Sequence, residues 1–379
     1  MNVSMIVLNP FTHDARVTKE ARTLAAHGHR VTVNALWRAG LPYQESIDGY
    51  NVQRIRLRSR ENQRIPFAAW AELMMKLPSL VQFQKPDVCH AHDLNALIPA
   101  YYAAQKTDAK LIYDSHELET GRNRGNRKIS HLKKWTWQKI ENYLIKKTDA
   151  VITVSPSIAQ ELARLYPVSR PAIVRNCPVL QPLAPLGKLR SWLNIPDETP
   201  IILYQGGLSK GRGLEIFMEA LSQIPDAAFV ILGDGVLRSD LQKLSTKLDI
   251  EHRLYMPGKV PWRELLYYTR DADIGLSLIE NVCLSYYFSL PNKLFEYQMA
   301  GVPVLASNFP DMKQIVTEWR SGCVVDSANV ADIVTILRQM LADPDELKMM
   351  GERARQAAIE RYNWEIESKT LLKVYTNLQ

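Results

Sequence analysis

The chain has 379 residues, of which 46% are hydrophobic and 23% charged, and its formal net charge is +7. The length exceeds one typical core and implies two domains, while the composition is that of an ordinary globular protein and excludes disorder. The positive balance favours anionic partners such as nucleotides, nucleic acid or an acidic membrane surface. Cys89, Cys177, Cys283 and Cys323 are scattered without a CxxC pair, which suggests neither a disulfide framework nor a metal site and fits a reducing cytoplasm.

From the N-terminus, "VSMIVLN" reads as a buried strand, "ARVTKEARTLAAHG" as a helix and "RVTVNAL" as a second strand, a βαβ unit. The first run is too short for a signal segment, and no stretch approaches the ~20 apolar residues that span a bilayer, so any membrane contact is expected to be peripheral. "DVCHAHD", "KLIYDSH" and "DAVITVS" continue the alternation, each followed by a helix-compatible segment. Continuous apolar strands of this kind belong to parallel sheets covered on both faces, so the first half reads as doubly wound. "NCPVLQPLAPLGK", Asn176 to Lys188, is rich in proline and aperiodic, as an interdomain connection is, and sets the boundary near residue 180. Beyond it "PIILYQG", "AAFVILG", "RLYMPG", "DIGLSLI", "PVLAS" and "GCVVD" alternate with helical segments such as "GLEIFMEALSQI" and "ADIVTILRQMLAD", a second parallel α/β domain.

Ligands of such sheets bind beyond the carboxyl ends of the strands, which directs attention to the loops there. "GLSKGRGLE", Gly207 to Glu215, precedes a helix and carries Lys210 and Arg212, a phosphate cradle by composition. A flexible glycine turn with solvated cations explains it equally well, and the spacing is not that of a P-loop. In "GDGVLRSDLQKL", Gly233 and Gly235 permit close backbone approach and Asp234 is expected to cap the next helix. "PGKV", Pro257 to Val260, either presents backbone to a flat heterocycle or is a simple turn.

"SLPNKLFEYQMAG", Ser289 to Gly301, opens a further helix. Pro291 suits a first helical position, leaving the amides of Asn292, Lys293 and Leu294 to face an anion beside the Lys293 charge. Glu296 is one turn on from Asn292, where a carboxylate can accept two hydrogen bonds from a vicinal diol such as ribose. On spacing alone, a carboxylate favoured by the helix macrodipole is the more economical explanation.

Taken together, "YQGGLSKGRGLE", "ILGDGVLRSDL", "MPGKVPWRELLYYTRDADIGLSL" and "SLPNKLFEYQMAGVPVLAS" resemble, in order and spacing, the family 4 retaining glycosyltransferases. "ARVTKEARTLAAHGHRVTV", "SIDGYNVQRIRL", "PDVCHAHD", "IYDSHELE" and "ITVSPSIAQEL" agree in the first half, and "YNWEIESKTLLKVY" looks like the family's closing helix, so the resemblance spans essentially the whole chain. It implies an α/β GT-B fold, two Rossmann-like doubly wound domains facing across a cleft. The domains expected are an acceptor-binding domain 1–180, a nucleotide-sugar-binding domain 181–362, and a helix 363–379 packing back on the first.

The resemblance further implies that Glu296 binds the ribose hydroxyls and Arg212 the diphosphate, with Lys210 beside it. Backbone from Leu290 through Pro291 and Asn292 to Lys293 would hold the distal phosphate, the Val260 loop would lie near the base, and Gly207 and Gly233 would belong to the same donor site. His116 matches the family's histidine beside the reacting sugar, and Asp14, Arg16, His92 and Glu117 fall on the acceptor side. The chain departs from the family at two places. The partner of a paired glutamate eight positions before Glu296 is Phe288, which places the chain with a subgroup carrying Pro-Asn-Lys before the helix, and Gly207 stands where an arginine is usual, leaving Arg212 much of the phosphate charge.

The activity implied is a retaining, metal-independent transfer of a hexose, glucose first among them, from a UDP-sugar to a glycan or lipid-linked acceptor in polysaccharide biosynthesis, with UDP as product and no cofactor or metal. "DAD", Asp271 to Asp273, sits at the end of a helix entering a strand and does not read as a metal site. Two other functions fit the same fold: a nucleotide-sugar epimerase or hydrolase, which turns over without an acceptor, and a non-catalytic nucleotide-sugar-binding protein. The basic, acid-free run Arg122 to Trp135, followed by Trp137, suits an anionic leaflet or lipid diphosphate as well as it suits a solvated helix face. No nucleic-acid recognition module accompanies the charge. The expected location is the cytoplasm, with peripheral contact at the inner face of the cell membrane.

Overall fold

The computed structural model of the protein describes residues 1–12, 14–58, 67–121 and 127–379, with side chains in the last span from residue 134 onward. Residues 122–133 of the basic run therefore lie outside the described residues or side chains. The chain divides into two units, Met1–Asn176 with Glu367–Gln379, and Cys177–Ile366. The junction sits just ahead of the proline-rich connection, and the last helix, Trp364–Thr376, carries the chain back into the first unit.

The first unit is built on strands β1 (Asn2–Ile6), β2 (Arg30–Leu36), β3 (Gln44–Ile47), β4 (Tyr50–Ile55), β5 (Val88–His92), β6 (Lys110–Ser115), β7 (Ala150–Thr153) and β8 (Ala172–Ile173). They form one sheet in the order β3-β4-β2-β1-β5-β6-β7-β8. All pairs are parallel except β3–β4, an antiparallel hairpin that the expectation of a purely parallel sheet missed. Its signal is Asp48-Gly49, both with positive φ (48° and 87°), the backbone a two-residue hairpin turn demands. The helix Ala15–Ala26 is capped by the Asp14 carboxylate, which accepts from the Val17 N–H. Its buried face carries Arg16 and Glu20 among Val17, Ala21 and Leu24, an unusual location for two charges.

The second unit holds β9 (Ile201–Gln205), β10 (Ala228–Leu232), β11 (Leu254–Gly258), β12 (Ile274–Ser277), β13 (Val304–Ser307) and β14 (Gly322–Val325), in the order β11-β10-β9-β12-β13-β14 and parallel throughout. This is the doubly wound order, whose direction of winding reverses between the first and fourth strands, here β9 and β12. Alternate residues of each strand feed opposite cores. Ile201, Leu203 and Val230 pack with Leu294, Phe295 and Tyr297, whereas Ile202, Tyr204 and Ile231 pack with Leu214, Phe217 and Leu337. Each strand is therefore apolar along its whole length, as the sequence reads.

The helix Asn292–Ala300 is fastened to the sheet at the switch point by Tyr297. Its hydroxyl donates to the Leu203 carbonyl at 2.8 Å, lies 3.2 Å from the Leu276 carbonyl, and accepts from the Gln205 N–H at 3.2 Å. The ring fits only because residue 275 is glycine, where a Cβ would stand 2.4 Å from the ring. Gly275→Ala is expected to destabilise the second unit by about 1–3 kcal/mol through overpacking, read as a lowered calorimetric midpoint.

Candidate functional site

In the second unit the loops beyond β9, β10 and β11 are knitted together by backbone. Gly206 N–H donates to Leu232 O at 2.9 Å, Leu208 N–H to Asp234 O at 3.1 Å, and Gly233 N–H to Gly258 O at 2.9 Å. A Cβ on Gly233 would lie 1.9 Å from Gly206 O, and one on Gly235 2.3 Å from Leu208 O. Gly233 therefore serves loop-on-loop packing, and its N–H is spent internally. Asp234 does not cap the helix Arg238–Lys247 as expected; its carboxylate accepts from the Gly235 N–H instead. Val260 packs its side chain against the core beneath.

The glycine loop after β9 turns through Gly206, Gly211 and Gly213, all at positive φ, into the helix Leu214–Leu221. Lys210 is exposed. Arg212 lies over the Tyr286 ring, 5.1 Å from its centroid, and Gly207 accepts from the Tyr204 hydroxyl at 2.8 Å.

Across the switch point, Pro291 is the cap residue before the helix Asn292–Ala300, one place earlier than the sequence suggests. The Leu294 N–H donates to Pro291 O at 3.1 Å, so of the three amides expected to face an anion it is already engaged. Leu290 is buried, Asn292 exposed. Lys293 is 8% exposed, with its Nζ 3.3 Å from the Tyr204 ring centroid. Burial, and the Arg212 charge after it, hold this amine well below the usual lysine range, with Glu296 pulling the other way. The Glu296 carboxylate accepts from the Gln205 side-chain amide, whose oxygen accepts in turn from the Thr269 hydroxyl at 2.8 Å. The structure thus gathers Lys293, Glu296, Arg212 and the glycine loop at the carboxyl ends of β9 and β12. Gln205, Thr269 and Tyr297, which position them, are absent from the sequence candidates.

Other features of this unit are structural. Asp271 accepts from the Gly187 N–H at 2.6 Å and the Leu189 N–H at 2.5 Å, and Asp273 takes the Ile201 N–H at 2.7 Å and pairs with Arg190 at 3.0 Å. Both carboxylates of the "DAD" triplet are committed to the chain itself. A surface cavity lined by Pro196, Thr199, His252 and Arg253 opens at the amino-terminal ends of β9–β11, the wrong end for a ligand of a parallel sheet.

In the first unit the counterpart is a buried charge cluster beyond β5 and β6. The Arg16 guanidinium, 3% exposed, donates to both Asp114 oxygens at 2.8 Å and to Val174 O at 2.6 Å, and lies 3.0 Å from Glu20. Arg16, expected on the acceptor side, is thus internal and braces Asp114, while Asp14 caps the helix it begins. His116 Nε2 lies 3.2 Å from both Asp114 Oδ2 and His92 Nδ1, and its Nδ1 lies 3.6 Å from Asp93. The backbone N–H of His116 donates to Asp93 at 3.2 Å, and Asp93 itself sits at φ 68°, a strained value for a non-glycine residue. His92 stacks on His90, whose Nδ1 is 2.8 Å from the Tyr375 hydroxyl of the closing helix. Glu117 is half-buried beside His116, and its carbonyl accepts from the Ser115 hydroxyl.

Electrostatics divide the cluster into two. Burial favours a neutral His116, but Asp93 and Asp114 outweigh it and push the imidazole up to about 9, so it is a cation at neutral pH. Burial likewise opposes charge on Asp114, yet Arg16 and His116 hold it well below the carboxylate range. Glu20 is pushed up to about 7 by burial, against the pull of Arg16. Glu20, His90, His92 and Asp114 each offer a ligand atom within 4.8 Å of the others, the spread a metal ion requires. The positive charge between the two carboxylates is supplied by Arg16. Asp93, Asp114, Glu20 and His90 are additional to the sequence candidates; the adjacency of Asp93 to His92 and of Asp114 to His116 is the available signal.

Because the folded His116 binds its proton more tightly than the ordinary value of 6.5, its contribution to stability is full below pH 6.5 and is lost as pH rises through about 9. An NMR titration of His116 is expected to show a midpoint near 9. Asp93→Asn should move that midpoint down toward the ordinary histidine value; an unmoved midpoint would rule out the Asp93 contribution.

Comparison with known proteins agrees with this fold. The family described as Glycosyltransferase Family 4 matches residues 15–179, and that described as Glycosyl transferases group 1 matches residues 188–357. An uncharacterized glycosyltransferase of Methanocaldococcus jannaschii is 26% identical over 94% of this chain and 91% of its own length. The glycogen synthase of Mycobacterium tuberculosis is 25% identical over 77% of this chain and 69% of its own. In fold, the chain is similar to sucrose-phosphate synthase from Thermosynechococcus elongatus (TM-score 0.83, 20% identity, covering 100% of this chain and 99% of that one). It is also similar to Anabaena HepE in complex with UDP and glucose (TM-score 0.80, 15% identity, 100% of each chain). Two Rossmann-like units, matched by these families over residues 15–179 and 188–357, make the chain a GT-B glycosyltransferase belonging to family 4.

Proposed function

We propose that the protein transfers a hexose, glucose first among candidates, from a UDP-sugar to a glycan or lipid-linked acceptor in polysaccharide assembly, with retention of anomeric configuration and without a metal. The observation that carries the donor side is the convergence of Glu296, Lys293 and Arg212 where the winding of the second sheet reverses. Glu296 accepts the two ribose hydroxyls, with Gln205 fixing the carboxylate, and Arg212 and Lys293 take the diphosphate, with Lys210 at the rim. The names of similar structures, complexes of HepE with UDP and glucose and with UDP-glucose, support uridine and glucose.

In the transfer, the bond from the anomeric carbon to the phosphate oxygen breaks and its electron pair leaves with the nucleoside diphosphate. The acceptor oxygen bonds to the same face of the sugar, and its proton passes to a phosphate oxygen. Negative charge grows on the leaving group, so pre-placed cations and helix amides lower the barrier. We assign His116 to the sugar as a charged N–H donor, because a proton held up to about 9 is ill suited to a general base at neutral pH. Contact with a lipid-linked acceptor at the inner membrane face is assigned to the helix Arg127–Leu144, where Trp135 is 57% exposed and Lys139 lies 5.7 Å from its ring centroid. No helix among the described residues is long and apolar enough to cross a membrane.

Wild-type protein is expected to show a thermal shift with UDP exceeding that with GDP or ADP, by about 2.7 kcal/mol of added stability at a hundredfold excess over Kd. Glu296→Ala and Arg212→Ala should each abolish the shift; wild-type affinity for all three diphosphates in both variants would overturn the donor assignment. UDP release from UDP-glucose should require an added acceptor, whereas acceptor-free turnover would favour an epimerase or hydrolase.

A further inference from the structure

Lys293 is the one side chain in the donor loops whose surroundings contradict its ordinary charge state. It is 8% exposed, sits in the first turn of the helix Asn292–Ala300, and forms no salt bridge with a carboxylate among the described residues. Its Nζ rests on the face of Tyr204, 3.3 Å from the ring centroid, and 3.6 Å from where a Cβ on Gly206 would be. That is an ordinary contact distance, and what favours glycine at 206 is its φ of 132°.

The titratable and charged groups around it come from four elements. Tyr204 lies beneath it on β9, Arg212 faces it from the glycine loop, and Tyr286, on the short helix Leu284–Tyr287, lies under Arg212. Glu296 is one turn further along its own helix, its carboxylate accepting from Gln205. A π-face is worth about 2 kcal/mol to a desolvated ammonium, whereas removing that ammonium from water costs several kcal/mol. Arg212 adds repulsion, and Glu296 returns only part of it. Burial and Arg212 thus both favour the neutral amine, which keeps a weaker N–H contact with the ring.

A diphosphate reverses that balance. Two phosphate groups beside Lys293 and Arg212 bring counter-charge to both, and an ammonium then gains charge-assisted bonds that an amine cannot make. We propose that Lys293 waits over the Tyr204 ring as a neutral amine and takes up a proton from solvent when the nucleoside diphosphate docks, so that donor binding is coupled to proton uptake. The step is R–NH2 + H+ → R–NH3+, with no other bond made or broken. It rests on the nucleotide-sugar reading above. As product leaves, the same proton returns to solvent, so the site does not retain an unpaired buried cation.

The test is isothermal titration calorimetry of the full chain with UDP, GDP and ADP at pH 8, where the nucleotide phosphates are already fully ionised, in buffers of different ionisation heat. For the diphosphate that binds, observed heat plotted against buffer ionisation heat should give a slope approaching about one proton taken up per site, and affinity should fall by up to about tenfold per pH unit above that pH. Lys293→Arg, permanently charged, should bind without proton uptake. Lys293→Met should bind about tenfold or more weakly at pH 7, also without uptake, and its thermal midpoint reports whether it is folded. A flat buffer dependence in the wild type, or an unchanged slope in Lys293→Arg, overturns the Lys293 inference while leaving the donor site standing. No binding heat with any of the three diphosphates overturns the nucleotide-sugar reading, and this inference with it.

Discussion

The candidate donor site depends on one hydroxyl. Tyr297 stands beneath the sheet where the winding reverses, bonded to the backbones of two strands that carry the loops on either side. With the ring seated on Gly275, the rotation of its helix about its own axis is fixed, and Lys293 and Glu296, one turn and one residue earlier, can point only toward the β9 loop. A side-chain anchor of this kind matters because a helix docked by apolar contact alone can slide or rotate at little cost, whereas misplacing a buried hydroxyl leaves polar groups unpaired at about 1–3 kcal/mol each. The glycines serve the same end. At Gly233 and Gly235 the loops touch backbone to backbone, so the rim of the site is held by main-chain hydrogen bonds.

The first unit reaches its precision by the opposite means, an excess of buried charge. Arg16, Asp114 and Glu20 come from a helix and the end of a strand, and each is costly inside, while His116, just beyond the strand, is half-buried. The expense is offset at Asp114, which receives Arg16 twice and faces His116 and His92, whereas the Glu20 oxygens lie beside Arg16 with no hydrogen bond among the described residues. The outcome is an imidazolium whose position is set from three sides, which is what an electrostatic role demands and what a proton-accepting role does not.

Much of this was legible in the sequence. Strand apolarity, glycine placement and the order of loops are local properties, so the paired Rossmann-like domains and the place of the glycine loop after β9 could be read from residue patterns and a family resemblance. The supports could not. Gln205 looks like the last polar residue of a strand, Tyr297 like one core aromatic among several, and nothing local says that they meet. Arg16 and Asp14 show the converse: polar residues after a strand read as ligand contacts, and only the fold shows that Arg16 also braces Asp114 and that Asp14 also caps its helix. Asp48-Gly49 carried a usable turn signal, but period-based reading favours long parallel strands over a short edge hairpin.

The return of the chain into its first unit has a consequence for synthesis. Residues 367–379 belong to the unit that begins at Met1, and Tyr375 meets the histidine of β5 within it. A ribosome delivers the whole second unit before that helix exists, so the first sheet emerges hundreds of residues ahead of the piece that completes it. The second unit, Cys177–Ile366, is contiguous and can close as soon as it is made. The first unit, with its charge cluster, is therefore completed only after the second unit has been made.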